Sequence, residues 1–198
     1  AFAATMLLFS AFVPSTFSLI LLALPSLVGF WRLQANQALF AAYAGIIMVA
    51  AYGLIDIRSV HGVPCLLWLA LVVIATDVMG YFVGRTVGGP KFWPAVSPKK
   101  TWSGTIGGWV GALAVGGFFM VWAGIGPIIL LASFLTSIAS QIGDIAESVV
   151  KRRMGVKDSS NLLPGHGGVF DRFDGVLGAS VFVVTAEAVS DFMPLMVR

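Results

Sequence analysis

Two carboxylates lie inside apolar stretches of the sequence, each a short distance before a basic cluster. Asp77 precedes Arg85 by eight residues, and Asp144 precedes Lys151 by seven. With a rise of about 1.5 Å per helical residue, each carboxylate would lie roughly 10–12 Å from the basic end of its helix. A charge at mid-membrane costs at least about 2.5–3.5 kcal/mol, so such groups pair, bind a metal or face water. The similar depth of the two carboxylates predicts one shared cavity.

Asp144 also belongs to a polar stripe on a predicted helix, because residues three and four apart share one helix face. Polar residues recur at this spacing, at Ser137, Ser140, Gln141, Asp144, Glu147, Ser148 and Lys151. The structural alternative for the intramembrane charges is a buried ion pair, such as Asp77 with Arg85. Glu187 stands alone in the last apolar stretch, and we expect it to be a helix–helix hydrogen-bond partner or to face a polar seam.

A basic segment precedes the third of the long apolar stretches. Ser97, Lys99, Lys100 and Thr101 place two ammonium groups and two hydroxyls just before a helix start. Free backbone N–H groups and the helix dipole favour anionic oxygens at such a position. The alternative is a basic juxtamembrane loop that touches anionic lipid headgroups.

A second polar segment, residues 157–174, combines glycines, basic groups and carboxylates. Its glycines allow the backbone to approach a ligand closely, and His166 between Gly165 and Gly167 could donate to a phosphate. The segment runs into Asp171 and Asp174. Carboxylates hold Mg²⁺ on phosphate oxygens, and basic side chains neutralise the remaining charge. These groups therefore fit a magnesium-dependent nucleotide site, whereas two histidines and one cysteine do not support a zinc site.

The elements that must position these groups are membrane helices. Of the 198 residues, 58% are hydrophobic and 11% charged, against about 25% charged in soluble domains. This composition excludes ordinary soluble, disordered and disulfide-scaffold classes. Apolar stretches of about 20 residues can span a bilayer, and five meet or approach this length: 37–55, 63–83, 105–123, 127–150 and 169–189.

An opening apolar stretch, residues 1–31, is broken by Pro14 and Pro25 and could be one kinked helix or parts of two. We therefore predict an all-α, polytopic integral membrane protein with about six transmembrane helices, within a range of five to seven. Residues 1–62 would form N-terminal transmembrane helices, and residues 63–198 a catalytic transmembrane domain.

The connections between the apolar stretches differ sharply in charge. The first, third and fifth connections hold nine basic residues, against two on the other side. The positive-inside rule places the richer side in the cytoplasm, and we expect the membrane to be the bacterial inner membrane. The basic residues lack the aromatic interleaving on a soluble face that nucleic-acid binding needs, so no nucleic acid is expected.

From Ser148 to Asp174 the sequence resembles the signature of the phosphatidate cytidylyltransferases. That signature is matched without departure at Ser148, Lys151, Arg152, Lys157, Asp158, Pro164, His166, Gly167, Gly168, Asp171, Arg172 and Asp174. Two weaker blocks, residues 97–102 and 77–81, also resemble the family. Ser103 departs from the usual acidic residue or Gln, and Gly80 replaces an alanine. The resemblance covers about residue 75 to the C-terminus.

The resemblance implies the reaction of CTP with phosphatidate to CDP-diacylglycerol and pyrophosphate, with Mg²⁺ and a possible second cation. It also implies a homodimer and further N-terminal spans, so the chain looks short or truncated. The implied catalytic residues are Asp144, Lys151, Arg152, His166, Asp171 and Arg172. The implied metal ligands are Asp144 and Asp171, supported by Asp77 and Asp174. The implied substrate-binding residues are Ser97, Lys99, Lys100, Thr101, Ser148, Lys157, Asp158, Gly167 and Gly168.

Two other functions compete with this interpretation. A related CTP-dependent enzyme could act on another lipid acceptor, as a polyprenol kinase or an archaeol-type cytidylyltransferase does, although the intact signature argues against it. A cation transporter could use Asp77 and Asp144 as its pathway. A transporter predicts polar residues that reach the opposite side of the membrane, and the predicted fourth and sixth spans offer few.

Overall fold

The computed structural model describes residues 2–10, 15–33, 36–156 and 173–190. Each apolar stretch becomes a helix, which confirms the all-α prediction. The helices are α1 (Phe2–Ser10), α2 (Ser15–Arg32), α3 (Gln37–Asp56), α4 (Gly62–Thr86), α5 (Trp102–Trp122), α6 (Ile128–Arg153) and α7 (Asp174–Ser190). The opening stretch thus forms two helices, and Pro25 lies inside the second.

Within the described ranges, three helical segments are long and apolar enough to cross a membrane. They are Gln37–Thr86, Trp102–Trp122 and Ile128–Arg153, and a shorter apolar helix covers Ile20–Arg32. The first segment has 50 residues and contains two of the predicted spans, joined by a π-helical turn at Ile57–His61. Gly62 ends that turn with a φ of 79°, a conformation that glycine adopts without steric cost. The total number of spans stays a prediction.

Cross-helix hydrogen bonds fix the direction of the helices. Trp68 Nε1 donates to Ser133 Oγ at 2.9 Å, and Thr76 Oγ1 donates to Ser137 Oγ at 2.8 Å. Positions along α4 and α6 therefore increase together, and these two helices run in the same direction. Helices α6 and α7 run in opposite directions, because Gly143, in the second half of α6, approaches the backbone of Asp174, at the start of α7.

The alternation places the ends of α4 and α6 and the starts of α5 and α7 at one end of the bundle. We call this the charged end, because it carries Arg85, residues 91–101 and Lys151–Arg153. Residues 36–39 at the start of α3 share a surface depression with Arg153, so the first connection also lies there. The predicted alternation of basic connections is confirmed, and which face of the membrane the charged end occupies stays a prediction.

The bundle core lies where α4, α6 and α7 meet. Its largest buried side chains include Trp68, Leu69, Val72, Ile129 and Val183. Small polar side chains of α6 are buried beside them, at Ser133, Thr136, Ser137 and Ser140. Small residues let membrane helices approach closely, and hydroxyls bond across the contact. The part of the predicted polar stripe nearer the start of α6 therefore packs against the neighbouring helices.

Glycines bring α4 and α5 into backbone contact, and we call this contact the glycine seam (Gly80, Gly84, Gly104, Gly108 and Gly111). A methyl group built on Gly104 would lie 2.6 Å from the backbone oxygen of Gly80, and one on Gly108 would lie 2.9 Å from the Thr76 oxygen. Such distances leave no room for a side chain. The two helices therefore form a close pair beside the charged end.

The third connection forms a β-hairpin where the sequence predicted only a basic, Gly-rich connection. Strand β1 (Lys91–Trp93) pairs antiparallel with β2 (Ser97–Thr101), with Lys91 opposite Thr101 and Trp93 opposite Ser97. The ring of Phe92 contacts Trp102, with centroids 4.6 Å apart. This aromatic contact fastens the hairpin to the start of α5.

Candidate active site

A cavity of about 570 Å³ opens at the charged end, between α4, the hairpin, α5 and α6. Its wall includes two carboxylates and four basic side chains, from Asp77, Asp144, Arg85, Lys91, Lys99 and Lys100. The chain thus gathers in one place charges that are up to 67 positions apart in sequence.

Both intramembrane carboxylates face this cavity, as their equal depth predicts. Asp77 comes from α4 and Asp144 from α6. The two are close enough to interact electrostatically with each other and with Lys100. The Asp144 side chain keeps 37% of its surface exposed, so its oxygens are accessible from the cavity.

Lys100 makes the most direct contact with these acids. Its Nζ atom lies 2.5 Å from Asp144 Oδ2 and donates a charge-assisted hydrogen bond to it. Successive side chains of a strand point to opposite faces; accordingly Lys100 is half-buried toward α6, while its neighbour Lys99 is exposed. The hairpin is therefore joined to α6 through one ion pair.

Arg85 does not form the ion pair with Asp77 that the structural alternative predicts. Its Nη1 atom donates to the hydroxyl of Tyr81 at 2.6 Å, and the guanidinium lies 5.9 Å from the centroid of the same ring. Arg85 and Tyr81 both line the cavity. The guanidinium therefore adds positive charge to the wall without neutralising Asp77 directly.

The N-terminus of α5 is capped by its own residues. Thr101 Oγ1 accepts a hydrogen bond from the Gly104 N–H at 3.2 Å, and Thr105 Oγ1 donates to the Thr101 carbonyl at 3.1 Å. Ser103, which departs from the family pattern, donates to the carbonyl of Gly88. Thr101 lines the cavity but is 5% exposed, so its hydroxyl shapes the helix start.

Gln141 is a cavity residue that the sequence reasoning placed only on the polar stripe. Its Nε2 donates to the Thr105 carbonyl at 3.2 Å, and its Oε1 accepts from Trp109 Nε1 at 3.0 Å. These bonds tie α6 to α5 one turn from Asp144. Its position three residues before Asp144, on the same helix face, is the signal that could have identified it.

A second group of carboxylates lies further along α6, toward its C-terminal end. Glu147 is 2% exposed, and its Oε2 accepts from Lys151 Nζ at 3.2 Å. Asp174, the first residue of α7, is close enough to interact electrostatically with both Glu147 and Asp144. Lys151 therefore neutralises a buried acid beside the cavity.

The remaining predicted residues divide into two groups. Ser97 and Ser148 are half-buried, and Arg152 is exposed and donates to the Val156 carbonyl at 3.3 Å. None of these three belongs to the cavity wall formed by the described residues. The other predicted site residues lie outside the described residues: Lys157, Asp158, His166, Gly167, Gly168, Asp171 and Arg172.

The chemistry of the donors fits Mg²⁺, which prefers carboxylate oxygens. Asp77 and Asp144 supply such oxygens, and the Lys100 ammonium already pairs with Asp144 and interacts electrostatically with Asp77. Within the described ranges, no group of three or more His, Cys, Asp and Glu side chains converges to hold a metal. A complete ligand set would need a further group, and the family resemblance implies Asp171 for it.

Comparison with known proteins identifies the family. Residues 1–189 match the Cytidylyltransferase family. The phosphatidate cytidylyltransferase of Brucella abortus biovar 1 (strain 9-941) is 49% identical over 131 residues, which cover 65% of this chain and 48% of that protein. The phosphatidate cytidylyltransferase of Bacillus subtilis (strain 168) is 42% identical over 135 residues, which cover 65% and 50%.

A more distant relative matches over a longer range. The phosphatidate cytidylyltransferase of Haemophilus influenzae (strain ATCC 51907 / DSM 11121 / KW20 / Rd) is 36% identical over 178 residues, or 83% of this chain and 62% of that protein. The chain spans about half the length of the first two relatives. The resemblance seen in the motifs is confirmed, and the chain belongs to the cytidylyltransferase family.

Proposed function

We propose that the protein transfers the cytidylyl group of CTP to phosphatidate, giving CDP-diacylglycerol and pyrophosphate for phospholipid synthesis. The proposal rests on one observation. This chain, which belongs to the cytidylyltransferase family, brings two carboxylates and four basic side chains together in one cavity at the charged end of its helix bundle. Anionic phosphates need this mixture, because cations neutralise them and carboxylates hold the metal that bridges them.

The reaction exchanges one phosphoanhydride bond for another. A phosphate oxygen of phosphatidate attacks the α-phosphorus of CTP, and a new P–O bond forms to the lipid phosphate. The bond between the α-phosphorus and the oxygen bridging to the β-phosphate breaks, and its electron pair leaves with pyrophosphate. Little covalent chemistry is left to the protein, so positioning and charge neutralisation dominate.

The chain's own residues would share this work according to their places. Asp144 and Asp77, with Asp171 and Asp174, would hold Mg²⁺, which supplies positive charge to phosphate oxygens when bound. Lys99, Lys100 and Arg85 would face phosphates across the cavity, where low polarity strengthens each contact. Lys151 would keep Glu147 neutralised beside the site, and Gln141 would hold α6 at a fixed distance from α5.

The setting suits one water-soluble and one lipid substrate. The positive-inside rule puts the charged end in the cytoplasm, where CTP is available. Asp77 is exposed on α4 close to Val78, Tyr81 and Phe82, which are also exposed. Phosphatidate would therefore approach from the bilayer side, with its phosphate level with the carboxylates. We expect the bacterial inner membrane as the location and a homodimer as the working form.

Labelled CTP tests this function directly. Purified protein in detergent or vesicles is incubated with phosphatidate, Mg²⁺ and CTP labelled at either the α- or the γ-phosphate. We expect label in the lipid product from the α-phosphate alone, and pyrophosphate released in equal amount. Label from the γ-phosphate would indicate a lipid kinase and would overturn the proposal. Transfer to another lipid alcohol or phosphate, but not to phosphatidate, would show that the acceptor is a different lipid.

A further inference from the structure

The Lys100 ammonium lies beside two carboxylates, Asp77 and Asp144, whose negative charges would otherwise repel each other. It lies 2.5 Å from Asp144 Oδ2 and interacts electrostatically with Asp77 across the same cavity. The Lys100 side chain is 21% exposed, so water screens the contact only in part. Lys100 is thus an internal counter-cation of the carboxylate pair.

An external divalent cation would compete with this ammonium for the same oxygen. Mg²⁺ binds carboxylate oxygens at about 2.0–2.1 Å with near-octahedral geometry. An ammonium donating to Oδ2 at 2.5 Å covers that side of the carboxylate, and two cations so close would repel each other strongly. A metal ion that binds Asp144 Oδ2 must therefore displace the Lys100 ammonium from it.

We propose that Lys100 is an exchangeable counter-cation: arrival of a divalent cation at Asp144 displaces its ammonium, which then becomes available to a phosphate in the cavity. This inference rests on the cation-dependent function proposed above and adds a coupling between metal binding and substrate binding. A cation that arrives with a nucleotide brings both the ion that displaces Lys100 and the phosphates that accept it.

The surrounding structure allows this exchange with little backbone movement. A lysine ammonium sits on a flexible four-carbon stem with three rotatable donors. The backbone around Lys100 is held independently, because the Trp102 N–H donates to the Pro90 carbonyl at 3.1 Å and Ser103 bonds to the Gly88 carbonyl. The side chain can therefore turn from Asp144 into the cavity while the hairpin stays in place.

Lys99 provides a matched control. It is the same residue type, it lines the same cavity, and it is adjacent in the chain. It is exposed, whereas Lys100 is half-buried against Asp144. A general effect of positive charge on metal affinity would be similar for both lysines, whereas direct exchange would be specific to Lys100.

The first experiment measures Mn²⁺ binding by electron paramagnetic resonance, without CTP or phosphatidate. We expect Lys100→Gln to tighten Mn²⁺ binding by at least about tenfold, the size of one competing charge-assisted contact. Lys99→Gln should change the affinity by less than about threefold, as expected for a screened charge. Lys100→Arg, which keeps the charge, should not tighten binding. Equal effects of the two Gln variants, or weaker binding in Lys100→Gln, would overturn the proposal.

A second measurement uses the unaltered protein, so it does not depend on a variant folding. An amine-acylating reagent is applied with and without saturating Mg²⁺, with choline chloride matching the ionic strength, and labelling of each lysine is read by mass spectrometry. We expect Mg²⁺ to raise the labelling rate of Lys100 at least about threefold relative to Lys99, since a half-buried amine held in an ion pair reacts more slowly than an exposed one. An unchanged ratio would overturn the exchange.

The two proposals fail separately. If the cation results hold but no α-label reaches lipid, the proposed reaction is wrong, while exchange at Asp144 is supported. If α-label reaches phosphatidate but Lys100 and Lys99 behave alike, the reaction stands and the exchange is wrong.

Discussion

The two ends of the helix bundle each contain a cavity, and the two cavities differ in chemistry. The cavity at the charged end has about 570 Å³ and carries two aspartates and four basic residues. The cavity at the other end has about 300 Å³ and lies among Trp68, Phe119, Trp122 and Ile129, with His61 and Cys65 as its polar groups. At that end His61 Nε2 lies 3.3 Å from Glu187 Oε1, which confirms that Glu187 has a helix–helix partner.

This difference shows what a membrane bundle needs in order to bind phosphates. Both cavities lie between the same helices, α4, α5 and α6. Among the described residues, the long connection between helices lies beside the charged end, and its hairpin brings three lysines to the helical carboxylates. The helices supply the acids, and the hairpin supplies three of the four basic side chains.

The largest expected effect comes from removing a carboxylate that is a predicted metal ligand. Asp144→Asn and Asp171→Asn should each lower cytidylyl transfer by about a thousandfold or more, because preorganised charge is lost where phosphate charge develops. Both variants should still fold and insert, as judged by size-exclusion chromatography and thermal unfolding. Near-normal transfer at low Mg²⁺ in either variant would show that its metal assignment is wrong.

A change at the glycine seam should damage the charged end through its scaffold. Gly104→Ala places a methyl group 2.6 Å from the Gly80 oxygen, so we expect destabilisation by about 1–3 kcal/mol and a clear loss of transfer. Gly117→Ala on the same helix meets nothing within 4 Å, and should be neutral or stabilising by up to about 1 kcal/mol. Thermal unfolding of both variants checks this, and equal behaviour would mean that the seam is not tightly packed.

A smaller effect is expected from Gln141, which positions α6 through hydrogen bonds to two uncharged groups. Gln141→Leu leaves the Trp109 indole N–H without this acceptor and removes the cross-helix bond to the Thr105 carbonyl, a loss of about 1–3 kcal/mol. We expect transfer to fall by roughly tenfold and Trp109 fluorescence to shift. Trp109→Phe, which removes one of the two bonds, should have a weaker effect. An unaltered transfer rate in Gln141→Leu would contradict the positioning role.

The smallest effect is expected at the other end. Glu187→Gln removes the charge that faces His61, and partly exposed pairs contribute only about 0–1 kcal/mol. Transfer should stay within about twofold of the unaltered protein, with a small decrease in unfolding temperature. A loss of transfer as large as that of Asp144→Asn would remove the contrast between the two ends.

Much of the scaffold could be predicted from the sequence, because hydropathy and basic charge act locally. The apolar stretches 63–83 and 127–150 became α4 and α6 with ends within three residues. The depths of Asp77 and Asp144 follow from helical rise alone, so their shared cavity was predictable. The broken opening stretch was harder, since Pro25 is tolerated inside α2.

The contacts that finish the site could not be predicted from the sequence. The hairpin is short, polar and proline-containing, so it carries no period-two apolar pattern. Whether Lys99 or Lys100 reaches Asp144 depends on which side chains of β2 face α6. A shift of one residue in the strand pairing would exchange the positions of the two lysines. Gln141 matters through bonds to Thr105 and Trp109, which lie 36 and 32 positions away.

The contact between Gly80 and Gly104 also bears on how such proteins can be recognised. Where two backbones touch, every larger residue is excluded whatever the substrate, so spaced small residues should persist after the lysines and aspartates have diverged. This arrangement has a recognisable spacing. Two glycines lie four apart at the end of one apolar helix, a short basic stretch follows, and the next helix has glycines at its third, seventh and tenth positions. Sequence searches for this glycine spacing could then find relatives that searches for the charged motif would miss.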